Sequence, residues 1–347
     1  MTRPDEESSA EHGLVKLAHA PSALCDAQGT PLLGRYAGRV GDLDTSRWDG
    51  SRGLFSRRRT QRKTWIFMGA FSARFMVGFA VVDAGLLGTA FCYVFDRERR
   101  QLWEDKLSRP LGFGAQFRGG LDVSWRLERG RQRFAIEPGH GADLLVRFEG
   151  TSSQGKRPFA LELSARRAGP GMSTIAASDP ARPFNHTYKA CDLACTLKLD
   201  LAGEQHTLEA PGMLDFTLGY PPRRTFWNWA AGNGSAEGAQ LGFNLVAHFN
   251  QGLENALWLD DQLIPVGQVR FTYDATDLAK PWLVESDDGA FSARFEPDGQ
   301  RAENIQALVL GSRFVQLFGR YRGALKVGAH TRDFSAFGVV EEHHALW

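Results

Sequence analysis

The chain of 347 residues is long enough for about two domains at roughly 150 residues apiece. Its 41 Lys and Arg against 40 Asp and Glu leave a net charge of +1, which excludes a molecule-wide field suited to polyanions. With 43% hydrophobic and 23% charged residues the composition is globular, and 38 Gly, 24 Phe and 9 Trp favour β-structure with many tight turns over a helical bundle.

Residues 1–20 open with MTRPDEESSAEHG, polar and acidic where a signal peptide is basic and then apolar, and are expected to form a loose tail. Cys25, Cys92, Cys191 and Cys195 are too scattered for a disulfide framework, and the last two miss the C-x-x-C spacing. A cytoplasmic protein is expected. The run SRGLFSRRRTQRK carries Arg52, Arg57, Arg58, Arg59, Arg62 and Lys63 and no acid. It reads as a solvated loop before a strand, with transient contact to an anionic membrane surface through Arg57–Lys63 as the alternative; nucleic-acid binding is not expected.

Phe75 to Phe95 has a single charge, Asp83, and the length of a membrane span. Its glycines at 78, 85 and 88 and its aromatic and β-branched content suit a hairpin of two strands instead. Further on, Asp143–Glu149, Phe159–Ser164, Cys195–Leu201, Gln268–Tyr273 and Ala290–Phe295 alternate apolar and polar residues, the period of a strand with one dry face. No segment holds a 3.6-residue period for three turns. The predicted class is all-β, sandwich or barrel. The Gly, Pro and Ser of AGPGMSTIAASDPARP (168–183) mark an expected linker between a first β-domain at 21–175 and a second at 185–347.

An internal pattern supports two such domains. At a constant offset of 164 residues Trp65 matches Trp229, Gly78 matches Gly242, Phe79 matches Phe243, Val82 matches Val246, Gly88 matches Gly252 and Asp96 matches Asp260. Shared hairpin chemistry would produce some of these identities; duplication would produce all of them.

Conventional catalytic and cofactor signatures are missing. There is no P-loop, G-x-S-x-G elbow or H-E-x-x-H, and no cofactor or metal is expected. His343 and His344 are adjacent, so on a strand they point to opposite faces and make a poor metal pair. The dense stretch is Asp215-FTLG-Tyr220-PP-Arg223-Arg224-TF-Trp227-Asn228-Trp229. Trp227 and Trp229 share one face of a strand and form a wall for a flat, conjugated or cationic ligand. A carboxyl held against indoles, Asp215, would be driven toward its neutral form and serve as a general acid. The same residues equally suit a packed barrel interior with an Asp capping a turn, and both readings stand. Asn244, Glu254 and Asn255 sit among apolar neighbours and need buried partners. His186, Lys189, Arg320 and Glu341 read as cross-strand pairs.

The run Asp215…Gly219…Arg224-Thr-x-Trp227-Asn-Trp229, then Gly242-x-Asn244 and Glu254-Asn255, resembles the bacterial family known as domain of unknown function 2804. Arg62-Lys63-x-Trp65, Lys280-Pro-Trp282, Arg294-Phe-x-Pro297, Gln316-x-Phe-Gly-Arg320 and Phe337 to Trp347 agree, so the resemblance covers about 21–347. It implies two tandem antiparallel domains similar to the double lipocalin-like fold of carotenoid hydratases. In that wider group an acid beside aromatic rings protonates an isoprenoid double bond. The resemblance carries residue types rather than matched catalytic positions: Asp215 as proton donor, with Tyr220, Arg224, Trp227, Trp229, Asn244 and Glu254 around an apolar ligand. Two functions follow, a cofactor-independent hydratase or lyase, and a non-catalytic lipid-binding or chaperone-like module. Either needs a cavity on the order of ~300 Å³.

Overall fold

A computed structural model describes residues 16–49, 53, 55–112, 115–116, 120–139, 143–178, 183–306 and 310–347. The expected tail up to residue 15 and the basic-run residue Arg52 lie outside the described residues.

Two antiparallel sheets carry the chain. The first runs in the order 101–110, 87–96, 75–83, 63–71, 204–219, 185–201, 158–167, 144–151, 132–138, 125–129, 115–116. The second runs 262–265, 256–259, 239–247, 224–236, 330–346, 311–327, 291–306, 282–286, 269–272. Each is an up-and-down meander whose last strand returns to pair with its leading hairpin: Glu204–Gly219 with Lys63–Phe71, and His330–Leu346 with Arg224–Ala236. Each lacks the ladder at an equivalent place, between 101–110 and 115–116 in one and between 262–265 and 269–272 in the other. Phe75–Asp83 and Leu87–Asp96 form the hairpin expected of the apolar run. Among the described residues no helix is long and apolar enough to cross a membrane.

The 164-residue offset is a structural equivalence. Trp65 pairs with Val82 and Trp229 with Val246; Gly69 pairs with Gly78 and Asn233 with Gly242. The leading hairpins therefore share one register. In the next pairing the match slips by one residue: Val77 faces Val94, whereas its counterpart Leu241 faces Leu259 and not Trp258.

Alternation in these hairpins serves two cores rather than one core and water. Ile66, Met68, Phe79 and Val81 point into the first sheet's core, and Ala230, Phe243 and Leu245 into the second's. The opposite faces, with Phe67, Phe71, Trp229, Ala231 and Val246, meet in a third apolar layer between the sheets. Contact there is close enough that a Cβ on Gly242 would stand 1.7 Å from the Cys191 carbonyl oxygen. Arg301 to Glu104 at 2.7 Å, Arg97 to Asp298 and Lys106 to Glu303 tie the sheets at one edge.

Two expectations change. Strands Asn185–Leu201 and Glu204–Gly219, assigned by sequence to the second domain, are hydrogen-bonded into the first sheet, so the second sheet begins at Arg224. The expected linker contains a buried strand, Met172–Ala176, laddered to Gly34–Ala37 and to Asn185–Leu201. Gly and Pro around it make the turns, while MSTIA itself is apolar and β-branched enough to be a strand.

Candidate functional site

The back-to-back packing leaves a cavity of about 150 Å³ between the sheets. Both tryptophans of the repeat, Trp65 and Trp229, and both their partner valines, Val82 and Val246, line it. It is thus built on the seam of the duplication. Near its mouth Trp347 lies parallel to Trp65 (6.0 Å between rings, 10°) and to Trp227 (6.5 Å, 8°), all three half-buried. Deeper, Phe67 meets Trp229 edge-on at 5.5 Å.

One wall is an ion triad. Lys189 and Asp215 face each other across adjacent strands, and Lys189 Nζ lies 2.5 Å from Asp215 Oδ1 and 2.9 Å from Glu254 Oε2. All three are buried. Burial pulls the Lys189 ammonium down, but the two carboxylates outweigh it and the net shift is upward. Burial pushes the Glu254 carboxyl up, helped by Asp215 and opposed by Lys189 and by an Asn250 amide that donates to it. One ammonium thus serves two carboxyl groups.

The facing wall centres on Glu341, which accepts from Trp227 Nε1 at 3.1 Å and Gln316 Nε2 at 2.8 Å and stands 3.0 Å from His343 Nδ1. The Oε1 of Gln316 is buried without a partner. Arg301, stacked over Phe91 at 4.3 Å and Phe314 at 4.8 Å, completes the lining. Asp215, Glu254 and Glu341 thus stand against Lys189 and Arg301, and Arg301 is already matched by Glu104. The uncompensated charge favours a cationic or cation-forming guest.

Of the residues singled out by sequence, Asp215, Glu254, Trp227 and Trp229 meet at the cavity. Asn244 stands behind it, its Oδ1 taking the Trp229 indole N–H at 2.9 Å and its Nδ2 donating to the Glu254 carbonyl at 3.1 Å. It fixes the ring without lining the space. Tyr220 is elsewhere: it follows Phe216 and Leu218 on the alternate positions of its strand into the first sheet's core, where its hydroxyl donates to Asp49 Oδ1 at 2.7 Å. Arg224 lies in a separate cleft with Ser312. The basic run turns partly inward, Arg62 toward Asp49 (3.3 Å) and Lys63 Nζ to the Ala84 carbonyl (2.8 Å). Among the described residues no group of three or more His, Cys, Asp or Glu is arranged to hold a metal ion.

Lys189, Glu341, His343, Gln316, Arg301 and Trp347 were missed as site residues. The repeat pointed to Trp65, and the two-residue spacing of Glu341 and His343 put them on one strand face. Nothing local marked Lys189 or Arg301, whose partners are distant in sequence.

Two closed-by-return meanders packed back to back, with an indole-lined cavity on their seam, define a double lipocalin-like β-protein. The chain belongs to the family described as domain of unknown function (DUF2804), whose model matches residues 16–347. Among curated proteins none matches the sequence. The fold is similar to that of an AttH candidate from Nitrosomonas europaea (TM-score 0.54, 15% identity, 82% of this chain and 92% of that one). It is also similar to kievitone hydratase from Nectria haematococca (TM-score 0.52, 10% identity, 94% of this chain and 98% of that one). At these identities the likeness is one of fold.

Proposed function

We propose that the protein binds an apolar, unsaturated small molecule in the cavity between its sheets and acts on it as a hydratase-type lyase, with Asp215 at the point of proton delivery. The observation that carries this reading is the Lys189-centred ion triad set into an otherwise aromatic cavity. Burial favours the protonated form of Glu254, and Lys189 links that group to Asp215. The proton adds to one carbon of a double bond. The neighbouring carbon becomes cationic against the faces of Trp227 and Trp229, water forms the new C–O bond, and its released proton returns to a carboxylate. The net change is addition of water.

The volume narrows the guest. About 150 Å³ falls short of the ~300 Å³ that either function was expected to need and holds roughly one benzene-sized group, which confines the reading to a small guest or one end of a larger one. A ring or a short branched isoprenoid end fills it, with the rest of the molecule leaving past Trp65, Trp227 and Trp347.

A second reading, binding without chemistry, draws support from the 2.5 Å Lys189–Asp215 contact, which gives the carboxylate a cation without a substrate. Solvent extraction of the purified protein followed by mass spectrometry identifies the bound compound, which is then incubated with wild type and Asp215→Asn. Hydrated product from wild type alone supports the lyase. Unmodified recovery from both leaves the binding module, and turnover by Asp215→Asn removes the mechanism.

A further inference from the structure

We propose that Ser312 is the nucleophile of a second site, one that hydrolyses small carboxylic esters with His343 as its base. Ser312 Oγ lies 3.0 Å from His343 Nε2, and His343 Nδ1 lies 3.0 Å from Glu341 Oε1. A carboxylate only accepts, so Nδ1 carries the hydrogen given to Glu341. The neutral ring then offers Nε2 as acceptor, and the serine hydroxyl donates to it. That order is the one needed to remove a proton from an attacking hydroxyl.

The strands build the arrangement. Glu341 and His343 share one face of His330–Leu346, and Ser312 stands on the neighbouring strand opposite Ala345, diagonal to His343. The imidazole is held between Trp227 at 4.1 Å and Phe314 at 5.2 Å, and the Glu341 carboxylate by the Trp227 and Gln316 donors. Ser312 is half-buried and borders a cleft of about 470 Å³, while His343 and Glu341 line the cavity between the sheets, so the three groups stand between the two spaces.

In the reaction Ser312 Oγ bonds to the acyl carbon and its proton passes to His343 Nε2. The C–O bond to the alcohol breaks and the alcohol leaves with that proton. Water then adds to the acyl carbon, losing a proton to His343, and the carboxylic acid departs as Ser312 regains its hydrogen. One ester and one water become one acid and one alcohol.

The test is labelling of the intact protein with an alkyl fluorophosphonate, mapped by peptide mass spectrometry, beside turnover of p-nitrophenyl butyrate. A single adduct on Ser312 is expected, absent in Ser312→Ala and unchanged in Ser292→Ala. In His343→Gln it forms about 100-fold or more slower. Glu341→Gln slows it through the imidazole, and Glu341→Asp recovers part of the rate, which a merely structural role would not do. Circular dichroism establishes that each variant is folded. Should His343→Gln not fold, the wild-type adduct and its loss in Ser312→Ala decide. No adduct on Ser312, or an unchanged rate in folded His343→Gln, overturns the proposal. Asp215→Asn leaves labelling intact, so this site and the lyase reading fail separately.

Discussion

Trp65 and Trp229 are 164 residues apart in sequence, stand opposite Val82 and Val246 in register-equivalent hairpins, and face the same cavity. The duplication thus places two copies of one surface against each other, and the cavity is what their side chains leave unfilled. The functional groups do not repeat. Lys189 and Asp215 come from the first sheet, while Glu254, Glu341 and His343 come from segments of the second half.

Trp227→Ala is expected to weaken binding of an apolar fluorescent probe such as anilinonaphthalene sulfonate by about tenfold, since it removes a parallel partner of Trp347. Asn244→Ala should weaken it less, because that side chain orients Trp229 from behind. Probe titration by fluorescence measures both, and equal affinity for Trp227→Ala and wild type would move the ligand elsewhere.

Lys189→Met leaves Asp215 and Glu254 buried without their cation and is expected to destabilise the fold by about 3–5 kcal/mol. The triple variant Lys189→Met, Asp215→Asn, Glu254→Gln should recover most of that, because no charge remains to be desolvated. Urea unfolding midpoints of the two variants make the comparison.

His186 is buried, its Nδ1–H donating to the Thr174 carbonyl at 3.1 Å, and burial lowers its pKa from 6.5 to about 4, with Lys189 adding to the effect. Between those values the unfolded chain binds a proton that the folded chain does not, so stability falls as pH falls through that window, by about 3 kcal/mol in all. Glu254, shifted upward, has the opposite sign: it loses stability as pH rises above 4.5. The difference between wild type and His186→Gln in urea midpoint, measured at pH 7 and at pH 4.5, isolates the histidine contribution.

Gly242→Ala is expected to lower stability by about 1–3 kcal/mol or more, because the new methyl meets the Cys191 backbone carbonyl, which cannot turn aside as a side chain would. Thermal unfolding reads this directly. A neutral result would mean that the sheets can slide apart at this point.

Burial raises the Cys195 thiol to about 12 and pushes the Cys92 and Cys191 thiols well above their ordinary value. One fast-reacting thiol per native chain, at half-buried Cys25, is therefore expected with Ellman's reagent, and four after unfolding.

The strands, the all-β class, the equivalence of the leading hairpins and the pairing of Trp227 with Trp229 on one face were legible in the sequence. Each is a short-range consequence of a two-residue period or a tight turn. The place where one sheet ends and the next begins was not legible, because Glu204–Gly219 is claimed by Lys63–Phe71, more than 100 residues upstream, and Asn185–Leu201 by Pro158–Arg167 on its other edge. Tyr220 and Asp215 are five apart in sequence yet point to different places, since an odd separation along extended chain puts them on opposite faces. Lys189 and Asp215 meet within one hairpin of the first sheet; only the packing of the two sheets back to back decided that Glu254 joins them and that Glu341 faces them. Those partners are brought together by long-range ladders and by the close approach at Gly242, and no local pattern encodes either.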